Sequence, residues 1–127
     1  MQEKQLFEYA VVRIMPRVER EEFMNTGVVL YCARQKFLKA MIRVDDARLS
    51  VFCPSCDAAA VKEHLLAFER ICQGGKSSGP IGQLPIAERF RWLTATRSTV
   101  VQTSKVHPGF CVDAGETLEQ LYEKLVL

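Results

Sequence analysis

The sequence lacks the features that mark membrane, secreted and highly charged proteins. No apolar run approaches the length of about 18 residues that a helix needs to cross a bilayer. The N-terminal stretch has no small-residue cleavage site, so we expect neither a membrane span nor a secretory signal. The 17 basic and 15 acidic residues give a net charge of only +2, which is too small to indicate nucleic-acid binding by itself. The 127 residues suffice to bury one core, and we predict a single domain, 1–127.

The five cysteines are an odd number and predict reduced thiols in a cytoplasmic protein, since no secretory signal is present. Two of them form a CPSC motif at 53–56, at the start of a predicted helix where a thiolate is stabilised. Redox chemistry is one interpretation, but the neighbouring strands read as antiparallel rather than as a βαβ unit. His64 and Cys72 lie too far apart on one helix to complete a zinc site. We interpret Cys53 and Cys56 as ordinary small residues and predict no metal site and no cofactor.

Alternating apolar residues, rich in β-branched and aromatic types, predict strands at four places. The predicted strands are 6–15, 28–33, 37–44 and 97–103. Pro16 should end the first strand, because proline has no N–H group to donate within a sheet. A short polar connection between the second and third strands is typical of a hairpin. The HPG sequence at 107–109 predicts a turn.

Two stretches have the apolar spacing of long helices, about 57–73 and 114–126. Asp57 and Asp113 stand where N-caps are expected, and a glutamate three residues after Asp113 completes a capping box. A shorter helix is predicted at 85–93, with a proline in its first turn. We therefore predict an α+β fold, in which an antiparallel sheet of three to five strands carries the two main helices on one face.

No acidic residue occurs between Glu88 and Asp113, and this absence marks a cationic segment, 88–109. Its arginines lie among many hydroxyl side chains, and guanidinium groups bind phosphate or carboxylate by two-point contact. The single tryptophan, Trp92, adds a surface for stacking. The same pattern also fits a purely structural role, in which Arg89 pairs with Glu88 or Glu22 and Trp92 is half-buried core.

Three motifs resemble a known family. They are YAVVR at 9–13, EFMNTGVVLYC at 22–32 and ERFRWLTATRSTVVQTSKVHPG at 88–109. Together they resemble a bacterial family known as domain of unknown function 3037, and the resemblance extends over nearly the whole chain. It implies a small stand-alone bacterial protein and, as a protein partner, a HipA-like kinase. It supplies no activity and no catalytic residue.

The polar and aromatic residues of these motifs are the predicted ligand- or anion-binding residues: Arg13, Glu22, Asn25, Arg89, Arg91, Trp92, Arg97, Ser98 and His107. They come from three separate segments, and we hypothesise that they converge on one site. We predict a non-catalytic binding or regulatory protein that grips a protein partner or a phosphate-bearing ligand through the cationic segment. One alternative is a nucleic-acid-binding protein. Another is an enzyme for a phosphorylated substrate, with Glu22 or His107 as acid or base.

Overall fold

A five-stranded antiparallel sheet is built around the first strand of the chain. The computed structural model describes residues 3–97 and 99–127. Strand β1 (Gln5–Arg17) pairs with β2 (Glu22–Cys32), and β2 pairs with β3 (Phe37–Ile42). The other edge of β1 pairs with β4 (Val101–Thr103) and then with β5 (His107–Cys111). The predicted α+β class and antiparallel sheet are confirmed.

Strand β1 continues past the proline that was expected to end it. The pairing of β1 with β2 is irregular between Ile14 and Arg17, so no regular ladder bond is required from Pro16. The N–H group of Met15, just before the proline, donates to the carbonyl of Val100 at 2.6 Å. The strand therefore reaches Arg17, which lines two cavities together with residues of the stretch 53–57.

Strand β2 starts six residues earlier than predicted, because its first half also pairs with β1 across a bulge. Val12 pairs with Gly27 and Arg13 with Asn25, which leaves Thr26 as the extra residue. Thr26 is buried, and its hydroxyl donates to the carbonyl of Arg43 at 2.5 Å. A β-carbon on Gly27 would lie 2.6 Å from the Met41 carbonyl oxygen, so only glycine allows β3 to pack this closely.

In the described ranges, five α-helices connect and cover the strands. They are α1 (Asp46–Phe52), α2 (Ala58–Gln73), α3 (Gly79–Gly82), α4 (Ile86–Leu93) and α5 (Ala114–Leu125). Asp45, Asp57 and Asp113 cap α1, α2 and α5, each accepting a hydrogen bond from the N–H group three residues on. The predicted long helices and the shorter helix at 85–93 are thus present. None of the helices in the described ranges combines the length and the apolar character needed to cross a membrane.

The two long helices pack on opposite faces of the sheet, whereas the sequence had placed them on one face. One cluster joins Val12 of β1 to Phe90 of α4 and to the apolar side of α2. The other joins Leu30 of β2 to Leu118 of α5. Both faces of β1 and β2 carry apolar side chains, so helices have to pack on each face of the sheet.

The two strands on the second edge of β1 differ from their predicted forms. The strand expected at 97–103 is limited to Val101–Thr103. The turn expected at 107–109 is instead the start of β5, where Gly109 pairs with Phe7. Pro108 is tolerated because β5 lies at the edge of the sheet. A β-carbon on Gly109 would lie 2.5 Å from the Phe7 ring, so the glycine is required by the packing of that ring.

Candidate functional site

Arg89, at the start of the cationic segment, points into the protein and caps another helix. Its Nη1 atom donates to the carbonyls of Ile71 and Cys72 at 2.9 and 2.8 Å, and its Nε atom donates to that of Leu84 at 3.0 Å. The last carbonyls of a helix have no partner within the helix. Arg89 satisfies two of these groups at the end of α2, so its charge is used within the fold.

Arg91 lies on the surface and is held by an acidic residue of β1. Its two terminal nitrogens bind the two carboxylate oxygens of Glu8 at 2.6 and 2.9 Å. The hydrogen bond with Glu8 raises the pKa of Arg91 above its usual value. This two-point ion pair neutralises the second arginine of the segment.

Trp92 and Arg97 form a stacked pair on the surface. The Trp92 side chain is 40% exposed, and the Cζ atom of Arg97 lies 3.9 Å from the centre of its ring. Arg97 also donates a hydrogen bond to the backbone carbonyl of Trp92. Partial burial lowers the pKa of Arg97. The flat cation therefore rests on the aromatic ring, a favourable arrangement for both groups.

A cavity of about 270 Å³ opens beside this stacked pair, and we call it the Trp92 pocket. Its walls come from α2, from the end of α4 and from the segment that leads into β4. The lining residues are His64, Ala67, Phe68, Ile71, Trp92, Leu93, Ala95, Arg97, Thr99, Val101, Gln102 and Thr103. The inner wall is apolar and the mouth is polar, a combination typical of ligand pockets in proteins.

We did not predict from the sequence that residues of α2 line this pocket, although their spacing in the sequence indicates a shared helix side. His64, Ala67, Phe68 and Ile71 occupy positions i, i+3, i+4 and i+7 of one helix and so share one side of it. His64 is exposed at the mouth, while Phe68 and Ile71 are buried behind it. A polar residue at the border of an apolar helical stripe marks the boundary between the buried and the exposed side of the helix, and in α2 this boundary lies at the mouth of the pocket.

Arg13 and Asn25, two further predicted residues, are register partners on the side of the sheet covered by α5. Arg13 lies over the ring of Phe23 at 3.9 Å, and burial lowers its pKa. The Nδ2 atom of Asn25 donates to the carbonyl of Leu125 near the end of α5 at 3.1 Å. Within the described ranges, Nε of Arg13 and Oδ1 of Asn25 are buried without a hydrogen-bond partner.

Glu22 and His107 lie at opposite ends of β1. Glu22 pairs with Arg20 at 2.6 Å beside Arg17, whereas His107 packs against Tyr9 with ring centres 5.4 Å apart. Arg17 is eight positions after Tyr9, a distance of about 27 Å along the strand. The two candidate acid–base residues therefore cannot act on one substrate together.

The predicted residues do not converge on a single site in the described part of the chain. Arg13, Asn25 and His107 belong to the α5 side of the sheet, while Trp92 and Arg97 belong to the side covered by α2 and α4. Ser98 lies outside the described residues. Of the predicted set, Trp92 and Arg97 are the two that share a pocket.

The cysteines are not all reduced, contrary to expectation. Cys53 and Cys56 are joined as a disulfide, with Cα atoms 5.4 Å apart. The turn between α1 and α2 brings them together, since the N–H of Cys56 donates to the carbonyl of Cys53 at 3.1 Å. Cys32, Cys72 and Cys111 are free and buried. In the ranges that the structure describes, no group of three His, Cys, Asp or Glu side chains is placed to hold a metal ion.

Comparison with protein-family models identifies the family of the chain. The model of a family described as "Protein of unknown function (DUF3037)" matches residues 9–126, which is nearly the whole chain. No curated protein and no solved structure matches the sequence.

Proposed function

The chain belongs to the DUF3037 family, and we propose that it is a non-catalytic binding protein that holds its partner at the Trp92 pocket. The exposure of Trp92 supports this proposal most directly. A tryptophan that is 40% exposed loses much of the free energy that its burial would contribute. Tryptophan and arginine are also the residues most often found at the energetic centres of protein interfaces. Here the two stand together at the mouth of a cavity.

The chemistry of the mouth favours an anionic group on the partner. Arg97 carries a guanidinium fork that suits phosphate or carboxylate oxygens. Its partial burial strengthens such a contact, because water screens the charge less at a half-buried site. Behind the mouth, Phe68 and Leu93 provide an apolar wall. We infer that the occupant is a phosphate-bearing or acidic side chain of a protein, with an apolar neighbour to fill the interior.

The identity of the partner follows from the family resemblance. The resemblance implies a HipA-like kinase, and we propose that a phosphorylated or acidic segment of such a kinase occupies the pocket. Nucleic acid is less favoured, because Arg89 is committed to α2 and Arg91 to Glu8. Binding to the phosphate backbone of a nucleic acid requires several cations on one surface. Of the three arginines of the segment, Arg97 is the one that lines the pocket.

Binding can be measured directly, because Trp92 is the only tryptophan and its fluorescence reports on the pocket. The purified kinase is titrated in phosphorylated and dephosphorylated forms, with free phosphoserine as the small probe. We expect Arg97→Ala to weaken kinase binding about tenfold or more, since such arginines contribute over 1 kcal/mol. Arg91→Ala, the matched control, should leave affinity within about twofold. Full affinity in Arg97→Ala would reject the Trp92 pocket as the binding site.

Co-purification from the native host distinguishes a protein partner from a nucleic-acid partner. A stoichiometric kinase supports the proposal. A nuclease-sensitive eluate, with affinity that falls steeply as salt rises, would instead support the nucleic-acid alternative.

We also propose that the protein is a bacterial, cytoplasmic protein of one domain. The free thiols of Cys32, Cys72 and Cys111 suit a reducing compartment. The two apolar clusters share β1 and β2, which supports one cooperative unit. Cell fractionation of the native host tests the location.

A further inference from the structure

The cysteines fall into two classes that differ in access to solvent. Cys32, Cys72 and Cys111 are at most 5% exposed, and burial raises the pKa of the Cys72 thiol to about 12. A buried thiol that keeps its proton is chemically inert. Cys53 and Cys56 are both partly exposed and are joined to each other. Redox chemistry in this protein is therefore confined to the pair, which we call the cysteine pair.

A cavity of about 280 Å³ has both sulfur-bearing residues in its wall. We call it the cysteine cavity. Its other walls are largely apolar and come from Pro16, Val61 and Val100. The polar lining residues are Arg17, Ser55, Asp57 and His64, and the Asp57 carboxylate accepts a hydrogen bond from the N–H group of Ala60 as the cap of α2. An apolar cleft that contains a disulfide and a cation is suited to a small molecule that carries both a sulfur atom and a carboxylate.

The pair lies at the junction of two helices that act differently on its two sulfurs. Cys56 directly precedes Asp57, the N-cap of the 16-residue helix α2. Because Cys56 is the cysteine of the pair that lies nearer to the positive end of this long helix, we infer that it is the sulfur released during exchange. Cys53 follows the C-terminal end of α1 and lines a second cavity together with Arg17 and Arg20. Cys53 is thus the residue of the pair that lines both cavities, and we infer that its sulfur is the one that an incoming thiol attacks.

The position of the pair in the chain does not suit a purely structural disulfide. The bond joins residues three apart, and the stabilisation that a disulfide gives decreases as the closed loop becomes shorter. The helices on both sides are already anchored, since Leu49 of α1 and Val61 of α2 are buried. The bond therefore adds little constraint that the packing does not supply.

We propose that Cys53 and Cys56 form a reversible dithiol–disulfide site, which exchanges with a carboxylate-bearing low-molecular-weight thiol, of the size of a cysteinyl tripeptide, bound in the cysteine cavity. In the first step the thiolate of the small thiol attacks the sulfur of Cys53. The Cys53–Cys56 bond breaks, a mixed disulfide forms on Cys53, and Cys56 leaves as a thiolate.

A second molecule of the small thiol completes the reduction. Its thiolate attacks the sulfur of the small molecule in the mixed disulfide and releases Cys53 as a thiolate. Both cysteines take up a proton, and the small thiol leaves as its own disulfide. Two electrons have then passed from two small thiols to the cysteine pair, and the reverse sequence oxidises it.

The equilibrium is tested with the full-length protein and glutathione as the probe. The protein is incubated in buffers whose ratio of reduced to oxidised glutathione spans about four orders of magnitude. Free thiols are then alkylated and counted by mass spectrometry. We expect the pair to be half reduced within this series, while the three buried cysteines do not change. A pair that stays fully oxidised or fully reduced throughout would overturn the proposal.

The cavity is tested by the rate of reduction, with a matched pair of arginine variants. Arg17→Ala removes the cation of the cavity, and Arg70→Ala removes an exposed arginine at the far end of α2. We expect Arg17→Ala to slow reduction by glutathione about fivefold and to leave reduction by uncharged 2-mercaptoethanol within about twofold. Arg70→Ala should change neither rate. Equal slowing with both thiols, or no slowing with glutathione, would show that the small thiol does not bind in this cavity.

The role of each sulfur is tested by trapping. In Cys56→Ser the second sulfur is absent, so the thiolate of Cys53 should attack oxidised glutathione, release one glutathione as a thiol and retain the other as a stable mixed disulfide. Cys53→Ser should accumulate about tenfold less of the adduct within the same time, because Cys56 lines one of the two cavities whereas Cys53 lines both. Equal trapping in both variants would contradict the assignment of Cys53.

Discussion

Arg89 and Arg97 belong to one cationic segment, yet the fold uses their charges in different ways. Arg89 is directed at the end of α2 and binds the carbonyls of Ile71 and Cys72. Arg97 lies over an exposed ring at the mouth of a cavity. The difference arises because α4 packs against α2, so one side of α4 meets helix carbonyls. The segment after α4 meets the side of α2 instead. An arginine-rich stretch therefore indicates a binding surface only where internal acceptors leave part of the guanidinium group uncommitted: Arg89 donates three hydrogen bonds to backbone carbonyls, and Arg97 donates one.

The largest effect is expected where the charge is used inside the protein. Arg89→Ala would leave the carbonyls at the end of α2 without their donor. We expect the free energy of unfolding to fall by about 2–3 kcal/mol, since hydrogen bonds from charged groups to buried acceptors are of this size. Urea denaturation followed by circular dichroism gives the value. Arg89→Lys should recover only part of the loss, because ammonium cannot reproduce the fork. A loss below about 0.5 kcal/mol would show that water caps the helix equally well.

The second largest effect is expected at the thiol of Cys72, whose backbone carbonyl accepts a hydrogen bond from Arg89. Burial raises the pKa of Cys72 to about 12, while the nearby charge of Arg89 acts in the opposite direction. In the unfolded chain this thiol ionises near pH 9, so above that pH the unfolded state loses a proton that the folded state keeps. Stability therefore falls with rising pH, by about 1.4 kcal/mol from about pH 8 to about pH 10. Urea denaturation at both pH values, with Cys72→Ala as reference, isolates the contribution. An identical pH dependence in the two proteins would contradict it.

Arg91 is the intermediate case, a charge that is paired but exposed. A double-mutant cycle with Arg91→Ala and Glu8→Ala should give a coupling free energy of about 0.5 kcal/mol. The value should shrink at about 1 M salt, because surface ion pairs are screened. A coupling above about 2 kcal/mol, unchanged by salt, would mean that this ion pair is as structural as the Arg89 contact.

The smallest effect on stability is expected at Arg97. Arg97→Ala should change the free energy of unfolding by about 0.5 kcal/mol or less, since an exposed cation–π contact is weak. The emission maximum of Trp92 should nevertheless shift to longer wavelength as the ring loses its cover. Arg70→Ala serves as the control for both measurements. A stability loss as large as that of Arg89→Ala would erase the distinction between the two arginines.

The parts of the fold that depend on local signals could be predicted from the sequence. Helices α2 and α5 carry an aspartate cap and a regular apolar spacing, and both signals lie within the element itself. Strand β5 could not be predicted, because histidine, proline and glycine are turn-forming residues. It is a strand because β1 offers an unpaired edge and the Phe7 ring packs over Gly109. The residues of β1 that make this segment a strand are about one hundred positions away in the sequence.

The stacked pair in the candidate site was predictable only in part, for the same reason. Composition drew attention to Trp92 and Arg97, and the structure stacks them together. Composition could not separate Arg97 from Arg89, because the acceptors of Arg89 belong to a different helix. Amphipathic spacing likewise shows which side of a helix is buried, but not which face of a sheet it covers. The packing of α5 and α2 on opposite faces of the sheet therefore could not be predicted from the sequence.

The central position of β1 has a consequence for how the protein is made. The N–H of Val11 donates to the hydroxyl of Ser104 across 93 residues of chain. The ribosome releases β1 first and the partners of its second edge last, after an interval of roughly 5–20 s at ordinary elongation rates. For that interval the hairpin of β1 and β2 presents an open, apolar strand edge to its surroundings. The nascent chain is thus most vulnerable to association with its own copies before β4 and β5 have emerged.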